Sequence, residues 1–165
     1  MKKIIPFLFI LVLLSVSCKK SNPVSAADKS TMTVTIDGTT YNWGAGGVTG
    51  PIGGVPVTNL DGTDGTGGNE KLILFDLTNV TTTGTYNIGI DSGGNAHTVS
   101  MEYDPDSTSA YSSKVGPNPA GKFVITSINN SSISATFNAI LTRQKDKTGD
   151  STVTITNGSL NITYL

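Results

Sequence analysis

The chain has 165 residues, with 11 Lys and Arg against 12 Asp and Glu and a formal net charge of −1. A balance this close to neutral, and mildly acidic once a leader is removed, argues against nucleic acid as a partner. Charged residues are only 14% of the chain while glycine alone supplies 19 positions, so the polar character comes from turn and strand formers rather than helix formers, and the composition points to β structure.

Lys2 and Lys3 precede an uncharged apolar run over residues 4–14, the usual order of an export signal. A helix needs roughly 20 apolar residues to cross the hydrocarbon of a bilayer, and Ser15, Ser17, Lys19 and Lys20 end this run well short of that. A permanent transmembrane helix is therefore not expected. The segment Leu14-Ser15-Val16-Ser17-Cys18 resembles the lipobox of bacterial lipoproteins, in which small residues precede the Cys that receives diacylglycerol before cleavage. Ser17 and Cys18 match that pattern, whereas Ser15 departs from it, since Leu is more usual there. Residues 1–17 are thus expected to be a signal peptide, and Cys18 the acylated first residue of the mature protein. Cys18 is the only cysteine, so it has no partner for an internal disulfide. Two or three acyl chains, at ~0.8 kcal/mol per buried methylene, would hold the protein on a membrane without a spanning helix.

Removal of residues 1–17 leaves 148 residues and a net charge of −3. This is one domain of ordinary size, able to bury roughly 68–70% of its unfolded surface. Residues 18–30 are small and polar, with no apolar period, and read as the lipidated Cys followed by a flexible tether; residues 31–165 read as a single all-β domain.

Met32, Val34 and Ile36 alternate with Thr31, Thr33 and Thr35, the period-2 pattern of a half-buried strand. Asp37-Gly38 suits a type I′ turn, which places Ile36 opposite Thr39, Val34 opposite Tyr41 and Met32 opposite Trp43. Residues 44–69 are broken by glycines, prolines and turn polars, and only residues 56–60 are expected to form a strand. Residues 72–77 are nearly continuously apolar and suggest a strand covered on both faces. Tyr86, Ile88 and Ile90 share one strand face, and His97, Val99, Met101 and Tyr103 another, with a turn at residues 91–95; a hairpin is the simplest connection. Residues 104–122 read as a long loop, with at most a short strand near residues 110–112.

Residues 123–128 and 133–141 form the next expected hairpin, pairing Ile128 with Ile133 and Val124 with Phe137, with Ile133, Ala135, Phe137, Ala139 and Leu141 facing inward. Residues 143–150 read as an exposed charged turn. In the last segment Val153 and Ile155 are out of phase with Leu160, Ile162 and Tyr164, so a hairpin or a glycine bulge must lie at Asn157-Gly158. The bulge is favoured because it keeps one long strand beside residues 133–141. The fold class is therefore an all-β antiparallel meander of about eight to ten strands, closed as a β-sandwich or a β-barrel, both of which the pattern allows.

The lipobox, the short tether, the strand and Asp-Gly turn leading to an aromatic (33–43), Gly-Thr-Tyr (84–86), Gly-Lys-Phe-Val-Ile-Thr (121–126), Ser-Ala-Thr-Phe (134–137) and the closing Thr-Ile-Thr-Asn-Gly-Ser-Leu-Asn (154–161) together resemble small lipoprotein domains of unknown function common in Bacteroidetes. The resemblance spans nearly the whole mature chain, and its motifs are mostly turn and strand grammar. It implies lipidation of Cys18 and lends no catalytic residues.

Candidate chemistry is sparse. Asp61, Asp64 and Glu70 lie on a glycine-rich stretch with the oxygen ligands that Ca²⁺ prefers, but their spacing matches neither the EF-hand loop nor a glycine-rich β-helix repeat, so a solvated loop is the simpler expectation and no metal or cofactor is implied. His97 is the only histidine, and no Gly-x-Ser-x-Gly or His-Glu-x-x-His accompanies it; a partly buried position at a strand start is expected rather than catalysis. Glu102, Asp104 and Asp106 are close enough in sequence to suggest the paired carboxylates of glycoside hydrolysis, although Asp-Pro-Asp reads as a turn. Tyr41, Trp43, Tyr103 and Tyr111 could stack on a sugar if exposed; strand pairing points the first two into the core, and Tyr111, in the polar loop, is the one expected at the surface. Asn129, Asn130, Asn157 and Asn161 begin Asn-x-Ser/Thr triplets that are expected to be turn and strand residues.

The expected function is a non-enzymatic binding or structural module on a lipid anchor, with the membrane as one partner and a carbohydrate, a small apolar ligand or a protein as the other. A lipocalin-like barrel holding an apolar ligand is the alternative, and a carbohydrate-active enzyme the third reading. Lys19 and Lys20 stand where an acidic cluster would accompany surface export, so the expected location is the outer membrane with the domain facing the periplasm, the cell surface being the alternative.

Overall fold

The computed structural model describes residues 30–65, 70–89, 97–144 and 151–164. The leader, Cys18 and the tether up to Lys29, the turn at 91–95 and most of the charged stretch at 143–150 lie outside the described residues. Every regular element among those described is a strand: β1 (Thr31–Ile36), β2 (Thr39–Ile52), β3 (Val55–Thr63), β4 (Leu72–Thr78), β5 (Gly84–Ile88), β6 (Thr98–Asp104), β7 (Tyr111–Ser112), β8 (Gly121–Ile128), β9 (Ser132–Arg143) and β10 (Thr152–Thr163).

The sheet order β10-β1-β2-β3-β4-β6-β5-β8-β9 closes on itself because β10 also pairs with β9. Nine strands thus form a barrel, and β7 stands outside the ring, bonded to both β6 and β9. Closure removes the free edges that an open meander of this length would expose. A barrel of this strand number is just wide enough for side chains to fill its interior, and here they do. Met32, Leu60, Phe75, Met101, Phe123 and Ile155 are among the fully buried residues of a single contiguous core. At its centre Phe75 lies 5.0 Å from Phe123 and 4.8 Å from Phe137, ring centroid to ring centroid.

The β1–β2 hairpin has the register that alternation and turn chemistry dictate: Met32 faces Trp43, Val34 faces Tyr41 and Ile36 faces Thr39. Asp37 and Gly38 have φ of +46° and +84°, as a type I′ turn requires. The Asp37 carboxylate also accepts a hydrogen bond from the Thr154 amide at 2.8 Å, tying the turn to β10. In β10 the change of phase is a bulge, not a hairpin. Asn157 has φ +49°, the ladder with β9 slips between Ile155 and Gly158, and the strand then continues with Leu160 and Ile162 buried. The inward row Ile133, Ala135, Phe137, Ala139 and Leu141 on β9 is buried as its alternation predicts.

Four expectations are corrected. Residues 44–63 are not a loop around one short strand but the continuation of β2 and the whole of β3, paired from Gly44 with Thr63 to Ile52 with Val55. The apolar alternation is hidden there because glycines take inward positions beside large neighbours. A Cβ on Gly62 would sit 2.5 Å from Met32 Sδ, and one on Gly47 would sit 2.9 Å from Leu60 Cδ2.

The strand at 72–77 is covered on one face only: Ile73, Phe75 and Leu77 are buried, Leu72 and Leu74 half-buried, and Asp76 exposed. The hairpin expected between β5 and β6 does not form. β6 is bonded to β4 along its whole length, and its other edge is taken by the β7 segment, leaving β5 a single parallel pairing, Ile88 with Val99. β5 pairs instead with β8. In the β8–β9 hairpin Ile128 does face Ile133, but a bulge between Ile125 and Ser127 puts Phe123, rather than Val124, opposite Phe137. The bulge turns the bulkier pair Phe123 and Ile125 into the core.

Candidate functional site

The outer side of the barrel wall carries a groove of about 710 Å³ across β3, β4 and β6. Two rungs of outward side chains floor it, because residues paired across neighbouring strands project to the same face. One rung is Val57, Thr78 and Thr98, and the other is Asn59, Asp76 and Ser100. Ile52, near the tip of the β2–β3 hairpin, overhangs one rim, and Lys114, just past β7, closes another.

The groove's polar groups are linked. Lys114 Nζ lies 3.6 Å from Asp76 Oδ2, and the Ser100 hydroxyl, on a side chain that is almost wholly buried, donates to the same oxygen at 3.4 Å. The loop bearing Lys114 is pinned to β6 by the Met101 amide, which donates to Ser113 Oγ at 2.9 Å, and by the Ser113 amide, which donates to the Met101 carbonyl at 2.9 Å; the Lys114 amide donates back to Ser112 Oγ of β7 at 3.1 Å. The half-exposed ion pair adds little stability, since solvent screens such pairs. It does hold one cation and one anion side by side over a floor of amide and hydroxyl groups, an arrangement able to donate to and accept from a polar ligand.

The positions singled out in the sequence fall elsewhere. Asp61 is on β3 facing outward, beside Gly46 and Leu74. Asp64 accepts from the Lys71 amide at 3.2 Å and lies 4.0 Å from its ammonium, which in turn sits 5.7 Å above the Tyr41 ring. Glu70 accepts a hydrogen bond from the Thr63 hydroxyl. Asp64 and Glu70 thus meet the protein's own donors, and among the described residues no group of three His, Cys, Asp or Glu is placed to hold a metal ion.

Tyr111, expected at the surface, is only 6% exposed. The short β7 pairing turns its ring inward, stacked 6.1 Å from Tyr103. Trp43 and Tyr103 are buried as well and Tyr41 half-buried, so these aromatics form no exposed platform. Burial pushes the Tyr103 hydroxyl's pKa well above the usual phenol value.

His97 is exposed rather than partly buried. Its Nδ1 contacts the Asn79 carbonyl and its ring meets Tyr86 edge-on at 6.2 Å. Glu102 faces outward and accepts from Gln144 Nε2 at 2.6 Å. Asp106 is a turn residue, receiving the Thr108 amide and hydroxyl at 2.7 Å and the Ser109 amide at 2.8 Å. The triplet asparagines also serve turns and strands. Asn129 Oδ1 accepts from the Ser131 and Ser132 amides, and Asn161 Oδ1 accepts from the Ser134 hydroxyl.

The hydrogen bonds to Asp106, those of Thr108 first, hold its carboxyl below the ordinary 3.8. A carboxyl depressed in the folded state stabilises the fold above its unfolded pKa, and that contribution fades as pH falls from 3.8 through the folded value. In urea titrations Asp106→Asn should therefore lose midpoint less steeply than the parent protein in the acid limb below that pH. Parallel acid limbs would count against the turn's role.

Asn59, Asp76, Ser100 and Lys114 went unmarked in the sequence because they are scattered over three strands and a loop. The only local signal was their polar parity on strands whose alternate positions are apolar. Comparison of the chain with protein-family models, with curated proteins and with solved structures found no match in any of the three.

Proposed function

We propose that the protein is a non-enzymatic envelope lipoprotein, anchored through acylated Cys18, whose outer groove on β3, β4 and β6 binds a polar ligand. The observation that carries this reading is the Asp76–Lys114 pair over the Asn59 and Ser100 floor, inside a concave surface walled by a projecting hairpin. A lipocalin-like internal site fits less well, because Phe75, Phe123 and Phe137 occupy the space an internal ligand would need. A carbohydrate-active enzyme built on Glu102, Asp104 and Asp106 is the less favoured reading, because Glu102 accepts from Gln144 and Asp106 from its own turn. With no exposed aromatic platform in the groove, ligand recognition would run through hydrogen bonds and charge rather than ring stacking.

The test has two parts. Intact-mass spectrometry of the protein extracted from membranes should find the chain starting at Cys18 and carrying its acyl groups. Screening that chain against arrayed glycans, peptides and small polar metabolites should then find a ligand whose affinity falls about tenfold or more in Asp76→Ala and in Lys114→Ala, the loss expected for a residue central to an interface. A ligand indifferent to both substitutions, or turnover of any screened compound, would overturn the groove or the non-enzymatic reading respectively.

A further inference from the structure

The β2–β3 hairpin runs past the rest of the barrel wall. Its rungs from Ile52–Val55 to Pro51–Pro56 lie beyond the last pairing of β3 with β4, Val57 with Thr78. The turn is Gly53-Gly54, both at positive φ. Ile52 is 68% exposed and Val55 41%. These two point to the outer face, and Pro51 and Pro56, also exposed, point to the other, so the tip is apolar on both sides. A surface strand normally blunts its edge with charge, and this tip has none. The Pro51–Pro56 rung has no amide N–H on either strand, and the Pro56 carbonyl accepts from the Asn79 amide at 2.7 Å. Little backbone hydrogen bonding would be lost where water is scarce.

The tip also projects in a defined direction. Thr31 pairs with Gly44 and the Ala45 amide donates to the Ser30 carbonyl, so the N-terminal segment leaves the barrel at the end towards which β2 is still running. From Ala45 to Ile52 the strand advances roughly 23 Å at about 3.3 Å per residue. Residues 18–29 can span at most about 40 Å when fully extended, more than the roughly 23 Å by which the tip projects, so a lipid on Cys18 lets the tip reach the bilayer from this end. The described turns at this end, 51–56, 79–83 and 129–132, contain no Asp, Glu, Lys or Arg, and the charges nearest the tip are the mutually paired Asp76 and Lys114 in the groove that Ile52 also lines. The opposite end carries Asp37, Asp64, Glu70, Lys71, Asp106 and Arg143.

We infer that the β2–β3 tip is a lipid-surface contact: Ile52 and Val55, with Pro51 and Pro56, enter the headgroup and acyl boundary of the membrane to which Cys18 ties the chain. The inference rests on the anchor reading above. It gives the tethered barrel a fixed orientation, with its charged end away from the membrane. An apolar tip of this size adds to a lipid anchor rather than replacing it.

The acylated full-length mature chain is placed on vesicles of phosphatidylethanolamine and phosphatidylglycerol, with or without brominated acyl chains, as Ile52→Trp and as Thr40→Trp. Thr40 is exposed at the charged end, and the buried native Trp43 is a constant background in both. Ile52→Trp should shift its emission to the blue on vesicles and lose about half its added intensity to brominated chains, whereas Thr40→Trp should do neither. In the mature chain produced from residue 18 with Cys18→Ser, so that neither leader nor acyl groups are present, partition onto the same vesicles should be weak, and about tenfold weaker still on Ile52→Asp. Acylated protein that floats with vesicles while Ile52→Trp remains unquenched overturns the insertion and leaves the anchor standing. A chain without acyl groups on Cys18 overturns the anchor, and the inference with it.

Discussion

Phe75→Ala is expected to lower the unfolding free energy by about 4 kcal/mol, the middle of the range for emptying a buried phenylalanine site. Phe75 is 1% exposed and meets Phe123 and Phe137 at 5.0 and 4.8 Å with tilted and edge-on geometry. Such aromatic pairs are worth about 0.5–1.5 kcal/mol beyond the area they bury. The surrounding wall is a closed ring of hydrogen-bonded strands, so it collapses poorly into the void and the cavity term remains large. At roughly 3–4 °C per kcal/mol for a domain of this size, the melting temperature should fall by about 15 °C. Phe75→Leu, which keeps most of the volume, should recover more than half of the loss. A Phe75→Ala protein melting within a few degrees of the parent would mean that the aromatic centre is not packed as described.

Gly121→Ala is expected to cost about 3 kcal/mol, for the opposite reason. A Cβ at this position would stand 1.9 Å from the Asn138 carbonyl oxygen and 2.7 Å from Ala139 Cα. Both obstructing atoms are backbone, so no rotamer change relieves the overlap. The start of β8 cannot retreat either: the Ala120 amide donates to the Ile88 carbonyl at 2.7 Å and the Ile140 amide to the Ala120 carbonyl at 2.8 Å, clamping it between β5 and β9. Overpacking of this kind typically costs 1–3 kcal/mol, and backbone obstruction belongs at the upper end. Gly50→Ala is the contrasting control. Gly50 is also in a strand, but nothing lies within 4 Å of its Cβ position, so the same substitution should be neutral or stabilise by about 0.4–1 kcal/mol through the unfolded chain. Paired denaturant titrations check both, and equal effects at the two sites would refute the close approach of β8 to β9.

Legibility in the sequence followed the range of the interactions. The β1–β2 register could be read directly, since Asp37-Gly38 and the Met32, Val34, Ile36 alternation are local and mutually consistent. The β10 bulge was legible for the same reason, because a phase change at Asn157-Gly158 leaves its mark on every following residue. The β2–β3 hairpin was not, because Gly47 and Gly62 sit inward where Leu60 and Met32 already fill the space, and an inward glycine looks like a turn when its neighbour across the barrel is unknown. Tyr111 was misplaced because a two-residue strand inside a polar loop has no period to read. The β5–β6 hairpin failed through competition, since nothing near residue 88 reveals that both edges of β6 are already occupied.

The sequence by itself determined that the chain is all-β, which side chains of most strands face the core, and which tight turns connect them, because each of these depends on residues a few positions apart. Tertiary structure decided that the meander closes as a barrel rather than a sandwich, that β5 turns from β6 to β8, and that Asn59, Asp76, Ser100 and Lys114 share one groove. Those outcomes depend on which strands compete for the same hydrogen-bonding edge and on how large and small residues fit across the interior. Both are relations between distant parts of the chain that no local pattern encodes.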